Sequence, residues 1–322
     1  MKNIRKFETT AEMESAVLEE YSVSYVIEND KVYTMPENGG QGGVDYSTMY
    51  TTFEALGDGT FSFTKNGTGD DIQYSKDNGS TWTPLASGET VSVVTGDKVM
   101  WKSTIAPSSS GIGTFSSNTN FNAYGNTMSL LYGDDFKGLT SLEGKDYVFY
   151  KLFNENDYLI DASNLILPAT TLVYGCYWSM FYGCKSLTTA PELPATTLAN
   201  KCYNSMFFQC RQLKTAPSIL PATTLAISCY SEMFTLCINL KTAPELPATI
   251  LVERCYENMF QSCSSLNHIT MLATNISATK CLYFWVYSTS STGTFVKHPD
   301  MDSLPKGNSG IPNGWTVEDA VL

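Results

Sequence analysis

Nine cysteines are the residues of this chain best able to do chemistry. They fall in two equivalent series, at 176, 202, 229, 255 and 281 and at 184, 210, 237 and 263. Thiols can pair as disulfides, ligate a soft metal as thiolates, or act as nucleophiles. A disulfide framework suits an exported chain with an even count, and this count is odd. Zinc ligands come in close pairs such as Cys-x-x-Cys, which a spacing of eight does not supply. The remaining reading is a small buried hydrophobe stacking on its equivalent in the next repeat. That is the one expected, with free thiols in the denatured, unreduced chain.

Other chemistry is sparse. The two histidines, His268 and His298, accompany no Ser or Cys nucleophile motif. Paired carboxylates run glycoside hydrolysis, but Asp70-Asp71 and Asp134-Asp135 are sequence neighbours in expected loops, where acids are ordinarily solvated. There is no Gly-rich phosphate loop and no metal-ligand cluster. No catalytic residue, metal or cofactor is expected. Ser75-Lys76-Asp77-Asn78-Gly79-Ser80-Thr81-Trp82 matches the Asp-box pattern of sialidase-like propellers, where the box is a structural turn remote from catalysis. Here it occurs once. Asp77 is expected to bond N–H groups of the turn, Gly79 to be left-handed, and Trp82 to pack under a hairpin.

The chain of 322 residues has a net charge of −12 and only 16% charged residues. Such a surface repels phosphate backbones, so nucleic acid is not an expected partner. No apolar run reaches the roughly 18 residues of a membrane helix. Lys2, Arg5 and Lys6 are followed by polar Glu8-Thr9-Thr10, where a signal peptide needs an apolar core. Ordinary export is therefore not expected.

The element that must position the cysteines is a repeat. Cys176-Tyr177-x-x-Met180-Phe181-x-x-Cys184-x-x-Leu187, then Ala190-Pro191-x-Leu193-Pro194-Ala195-Thr196-Thr197-Leu198, recurs from Cys202, Cys229 and Cys255, with a decayed copy at Cys281. A period of 26 or 27 residues implies stacked units, none able to bury its apolar face alone. Cys176, Met180, Phe181, Cys184 and Leu187 fall at one face of a helix, and 187–190 reads as a short strand. Fixed aromatics such as Tyr177, Tyr203, Tyr230 and Tyr256 read as core.

The whole is expected to be multidomain α+β. Residues 1–36 form a small attachment and oligomerisation segment: a capped helix over 11–20, then strands at 23–27 and 31–35. Its candidate attachment residues are Phe7, Met13, Val17, Tyr25, Ile27, Val32 and Tyr33. A Gly-rich linker spans 37–43. Residues 44–135 read as an all-β, sandwich-like domain, because Phe61/Phe63, Ile72/Tyr74, Val91/Val93 and Val99/Trp101 alternate with polar neighbours. An α/β leucine-rich-repeat solenoid follows at 136–285, and a C-terminal cap at 286–322. Strand positions give the candidate binding face, in columns Thr188, Lys214, Lys241, Asn267 and Thr189, Thr215, Thr242, His268. Strict alternation would turn only one column outward.

The repeat resembles the cysteine-containing leucine-rich repeats of the BspA-like type found in gut Bacteroidales and their bacteriophages. Ser309-Gly310-Ile311-Pro312-x-Gly314-Trp315-Thr316-Val317 resembles the C-terminal cap of such arrays. The β region, with Ile72-Gln73-Tyr74-Ser75 through Trp82 and Gly96-Asp97-Lys98-Val99, resembles modules that precede these repeats. Phe7-x-x-x-Ala11-Glu12, Val23-Ser24-Tyr25-Val26 and Lys31-Val32-Tyr33 look like the attachment segment of virion proteins in crAss-like phages. The resemblance implies a virion structural protein, a head fibre or capsid decoration. It would be assembled in the host cytoplasm, docked and oligomerised through residues 1–36 as a dimer or trimer, and would touch surface glycans weakly. A bacterial cell-surface adhesin is the other reading of the same residues, and a glycan-active enzyme the third.

Overall fold

The structure is a computed structural model describing residues 6–7, 25–28, 31–34, 45–301 and 304–321. Two compact units are present, Met1–Asp45 and Tyr46–Leu322. The chain is mostly β, with several sheets and few helices. It is neither a closed barrel nor the helix-and-strand solenoid that the sequence pattern predicts.

In the first unit, β1 (Lys6–Phe7), β2 (Tyr25–Glu28) and β3 (Lys31–Thr34) form one sheet. β2 and β3 pair antiparallel, with Ile27 opposite Val32 and Val26 opposite Tyr33. β1 joins β2 in parallel, Phe7 beside Val26. Two residues carry no alternation to read, so the sequence gives no signal for β1. The expected helix over 11–20, with Met13 and Val17, and the linker at 37–43 lie outside the described residues.

The second unit opens with eight strands: β4 (Thr51–Ala55), β5 (Gly59–Lys65), β6 (Ile72–Ser75), β7 (Thr83–Leu85), β8 (Thr90–Val93), β9 (Lys98–Lys102), β10 (Gly113–Ser117) and β11 (Phe121–Asn126). β10, β5 and β8 form one antiparallel sheet. In the other, β11, β4, β9, β6 and β7 follow one another, all antiparallel. The two sheets meet through aromatic rings. Phe53 of β4 lies 5.5 Å from Phe61 and 4.8 Å from Phe115, and Trp101 of β9 lies 5.1 Å from Phe115. Edge-to-face pairs of this kind add roughly 0.5–1.5 kcal/mol each beyond the area they bury. A single helical turn, α1 (Ser129–Tyr132), follows, with Ser129 bonded to Thr51 and Trp101.

This core does not stop where the repeats begin. β12 (Leu159–Asp161) and β13 (Leu165–Ile166) extend the larger sheet by pairing with β11. Phe115 of β10 stacks on Phe153 at 5.7 Å, and its N–H donates to the Leu152 carbonyl. Phe153 then starts a column of rings, Phe181, Phe207, Phe234 and Phe260, spaced 5.3–5.7 Å apart with nearly parallel planes. Phe149, Tyr177, Tyr203, Tyr230 and Tyr256 make a second column. Trp285 closes both, at 6.4 Å from Tyr256 and 6.0 Å from Phe260.

The expected helix in each repeat is replaced by a chain of turns. Every fourth residue is left-handed: Gly175, Ser179 and Gly183, then Lys201, Ser205 and Gln209, and so on in each repeat. Alternate N–H groups bond within the repeat, as Met180 to Tyr177 and Tyr182 to Ser179. The others reach the next repeat, as Tyr177 to Cys202, Ser179 to Asn204 and Phe181 to Met206. An α-helix would keep these N–H groups to itself. The turn chain spends about 1–2 kcal/mol on each left-handed non-Gly residue and gains a backbone ladder between repeats. Side chains are buried in pairs: Cys176-Tyr177 and Met180-Phe181 are fully enclosed, Trp178 and Tyr182 are half-buried, and the intervening Ser179 is buried as well.

The far end is a parallel sheet of β14 (His268–Met271), β15 (Thr294–Lys297) and β16 (Thr316–Asp319). The sequence predicts strands at 293–296 and 315–317, and both form within a residue or two.

Candidate functional site

Both expected columns face solvent. Lys214, Thr215, Lys241, Thr242 and Asn267 are exposed, and Thr188, Thr189 and His268 half-buried. The flanking Leu187, Leu213, Leu240 and Leu266 are buried, so the order is in, out, out. Strict alternation fails for a specific reason. Lys214 and Thr215 both donate to the Thr188 carbonyl, at 2.9 and 3.3 Å, and Asn267 and His268 both donate to Lys241. Two residues opposite one is bulge geometry, and it turns both side chains outward. The repeats there touch through single bridges, Thr189 with Thr215 and Thr242 with His268. The same geometry recurs where Thr196 and Thr197 share the Thr170 carbonyl. It creates a second exposed threonine ladder, Thr171, Thr197 and Thr224.

All nine cysteines are free and buried. In the second series each thiol donates to the preceding repeat's phenylalanine carbonyl: Cys184 to Phe153, Cys210 to Phe181, Cys237 to Phe207 and Cys263 to Phe234, at 3.0–3.1 Å. Asn156 takes the same place in the first unit of the stack, donating to Phe115 at 3.2 Å. Burial pushes the thiols up, Cys176 and Cys229 to about 12. A thiol so far from ionisation is a weak nucleophile at neutral pH. Among the described residues no group of three or more His, Cys, Asp or Glu is placed to hold a metal.

The carboxylate neighbours are separated by their bonds. Asp134 pairs with Lys102 at 2.8 Å and accepts the Tyr50 hydroxyl at 2.7 Å. The lysine holds this carboxyl below its ordinary range, with the tyrosine second. Desolvation and then Asp134 push Tyr50 to about 12. Lys102 also lies 4.3 Å over Trp82, whose ring meets Tyr50. Asp71 pairs with Lys65. His298 accepts the Asp300 N–H, and His268 opens β14.

The Asp77 turn forms as expected. Asp77 accepts the Thr81 hydroxyl at 2.6 Å, the Thr81 N–H at 2.9 Å and the Ser75 hydroxyl at 2.7 Å. Asn78 and Gly79 are both left-handed. These bonds, Thr81's first, lower its pKa to about 2. A depressed carboxylate contributes stability above about pH 4 that is lost as pH falls through its folded value. The thermal midpoint gap between wild type and Asp77→Asn should therefore shrink from about pH 5 to about pH 2. An equal gap at both pH values would show that this turn does not depend on the charge.

The outward residues of the turn chain were not singled out from the sequence, yet they hold half-buried and exposed aromatics of the repeats. Tyr147, Tyr150, Tyr174 and Trp178 cluster at one end, and Tyr283, Phe284 and Tyr287 at the other. Their signal was the unconserved x-x between motif pairs, which carries no periodicity of its own. Tyr177, Tyr203, Tyr230 and Tyr256 are buried, as their fixed places suggest.

No helix among the described residues is long and apolar enough to cross a membrane. No protein-family model, no curated protein and no solved structure matches this chain.

Proposed function

We propose that this chain is a non-enzymatic virion structural protein, a phage head fibre or capsid decoration, that gives weak multivalent attachment to surface glycans. The observation that carries the reading is the body of 46–322, where a two-sheet module is fused through one core to a stack presenting the same outward positions repeat after repeat. Such an array suits a display surface, where many weak contacts add through avidity. The sheet of residues 6–34 is too small to bury a stable core by itself. It takes the docking role, holding the chain to the particle and to its own copies, through Phe7, Tyr25, Ile27, Val32 and Tyr33. Hydroxyls and ammoniums of the Thr189 and Lys214 columns offer sugar contacts. Free, buried thiols agree with assembly in a reducing cytoplasm.

Light scattering after size exclusion tests the assembly role. The full chain should be a dimer or trimer and residues 46–322 a monomer. Two monomers, with no binding of the full chain to virions depleted of it, would remove the docking assignment.

A further inference from the structure

The turn face of the stack mixes aromatic rings with polar and charged groups. Its rings lie over the first three units of the stack, where Tyr182 stacks on Phe208 at 4.8 Å, and at the far end. Tyr150 meets Trp178 at 5.5 Å, and Tyr147 meets Tyr174 at 5.2 Å. At the far end Tyr283 lies 4.6 Å from Phe284, and Tyr283 and Tyr287 are 43% and 40% exposed. Charged groups lie between Phe208 and the far end: Arg254 lies 3.8 Å from Glu253 and 3.7 Å from Glu257, and Glu232 bonds Ser205.

We infer that this face binds a neutral, extended oligosaccharide lying along the stack. Three observations support the class. Pyranose rings have apolar faces and hydroxyl edges, so they need aromatic platforms flanked by polar groups, and this face supplies both. Repeats advance by 5.3–5.7 Å, as the buried phenylalanine column measures, close to the advance of one sugar unit in an extended glycan. Charge is mixed: Lys201 over Trp178 and Lys280 over Tyr283 alternate with Glu232, Glu253 and Glu257. There is no single-sign field to draw a polyanion. The inference rests on the glycan-attachment part of the proposed function and does not need the virion part. It moves the main contact from the threonine columns to the aromatic face.

Native electrophoresis of the full chain through gels containing galactomannan, xyloglucan or hydroxyethylcellulose reads weak binding directly, with an alginate gel as the anionic counterpart. At least one neutral gel should retard the protein and alginate should not. Trp178→Ala and Tyr287→Ala should each weaken retardation about tenfold, an effect expected for one lost ring stack. Tyr287 is exposed enough to keep the second variant folded, checked by its thermal midpoint. Thr189→Ala with Thr215→Ala should weaken retardation less than either aromatic variant. If the threonine variant abolishes it and the aromatic variants do not, the aromatic face is overturned and glycan attachment stands. No retardation in any neutral gel, or equal retardation in alginate, overturns the inference outright. The virion reading is decided separately by the solution mass.

Discussion

Above about pH 9 the protein should unfold in one steep transition, with a midpoint near about pH 10. The cause is the two buried cysteine series. Burial raises all nine thiols above their ordinary 9.0, with Cys176 and Cys229 reaching about 12 and Cys281 the least enclosed. A raised folded pKa gives stability that is complete below the unfolded value and is lost as pH climbs toward the folded one. The unfolded chain therefore releases protons first. Each thiol then withdraws about 1.4 kcal/mol per pH unit, and nine withdraw on the order of 12 kcal/mol per unit. A domain's whole net stability is roughly 5–15 kcal/mol, so about one pH unit suffices. Tyr177, Tyr203, Tyr230 and Tyr256 are raised by the same desolvation and add their share at higher pH. Far-UV circular dichroism across this range gives the midpoint, and its steepness counts the protons released. Thiol-reagent uptake should rise in the same interval. A midpoint beyond about pH 11.5, or a transition releasing only one or two protons, would mean the thiols ionise without unfolding.

Replacing Phe153 with alanine should cost about 3–5 kcal/mol, the range for a buried aromatic, and should also change how the protein unfolds. Phe153 touches Phe53 and Phe115 on the sheet side and Phe181 on the repeat side, all within 5.3–5.7 Å. Its backbone N–H donates to Met180, and its carbonyl accepts the Cys184 thiol. The backbone bonds survive truncation, but the ring contact between the sheets and the stack does not. Wild type should unfold in denaturant as one unit. The variant should show separate midpoints for the backbone amides of the sheets and those of the repeats, followed by hydrogen exchange in denaturant. Phe260→Ala, deep in the stack, serves as the control: a similar loss with coincident midpoints. If Phe153→Ala also unfolds with coincident midpoints, the two parts are joined chiefly by backbone bonds.

Much of this architecture was legible before any coordinates. Strands appear where Phe61/Phe63, Ile72/Tyr74, Val91/Val93 and Val99/Trp101 alternate, because a half-buried sheet imposes a period of two. β4, β7, β10 and β11 escaped notice. Thr51 and Thr52 are buried beside Phe53, and β11 is buried almost throughout, so alternation is blurred there. Both columns of the candidate face turn outward, and the rule of strict alternation fails there at a bulge.

The chain's own residues determine the repeat length, the stacking register and the buried set, since only side chains that recur every 26 or 27 residues can lie on their equivalents. They do not determine the backbone that delivers this. A four-residue apolar period fits one face of a helix as well as a chain of turns with a buried pair in every four residues. The choice is made by the N–H groups of alternate residues, such as Tyr177 and Phe181, which find carbonyls in the next repeat. Those partners exist only once neighbours have stacked. The same holds for Phe115, remote from the repeats in sequence, which becomes the surface on which the stack begins. Local propensity proposes the four-residue period, and the long-range hydrogen bonds select its conformation.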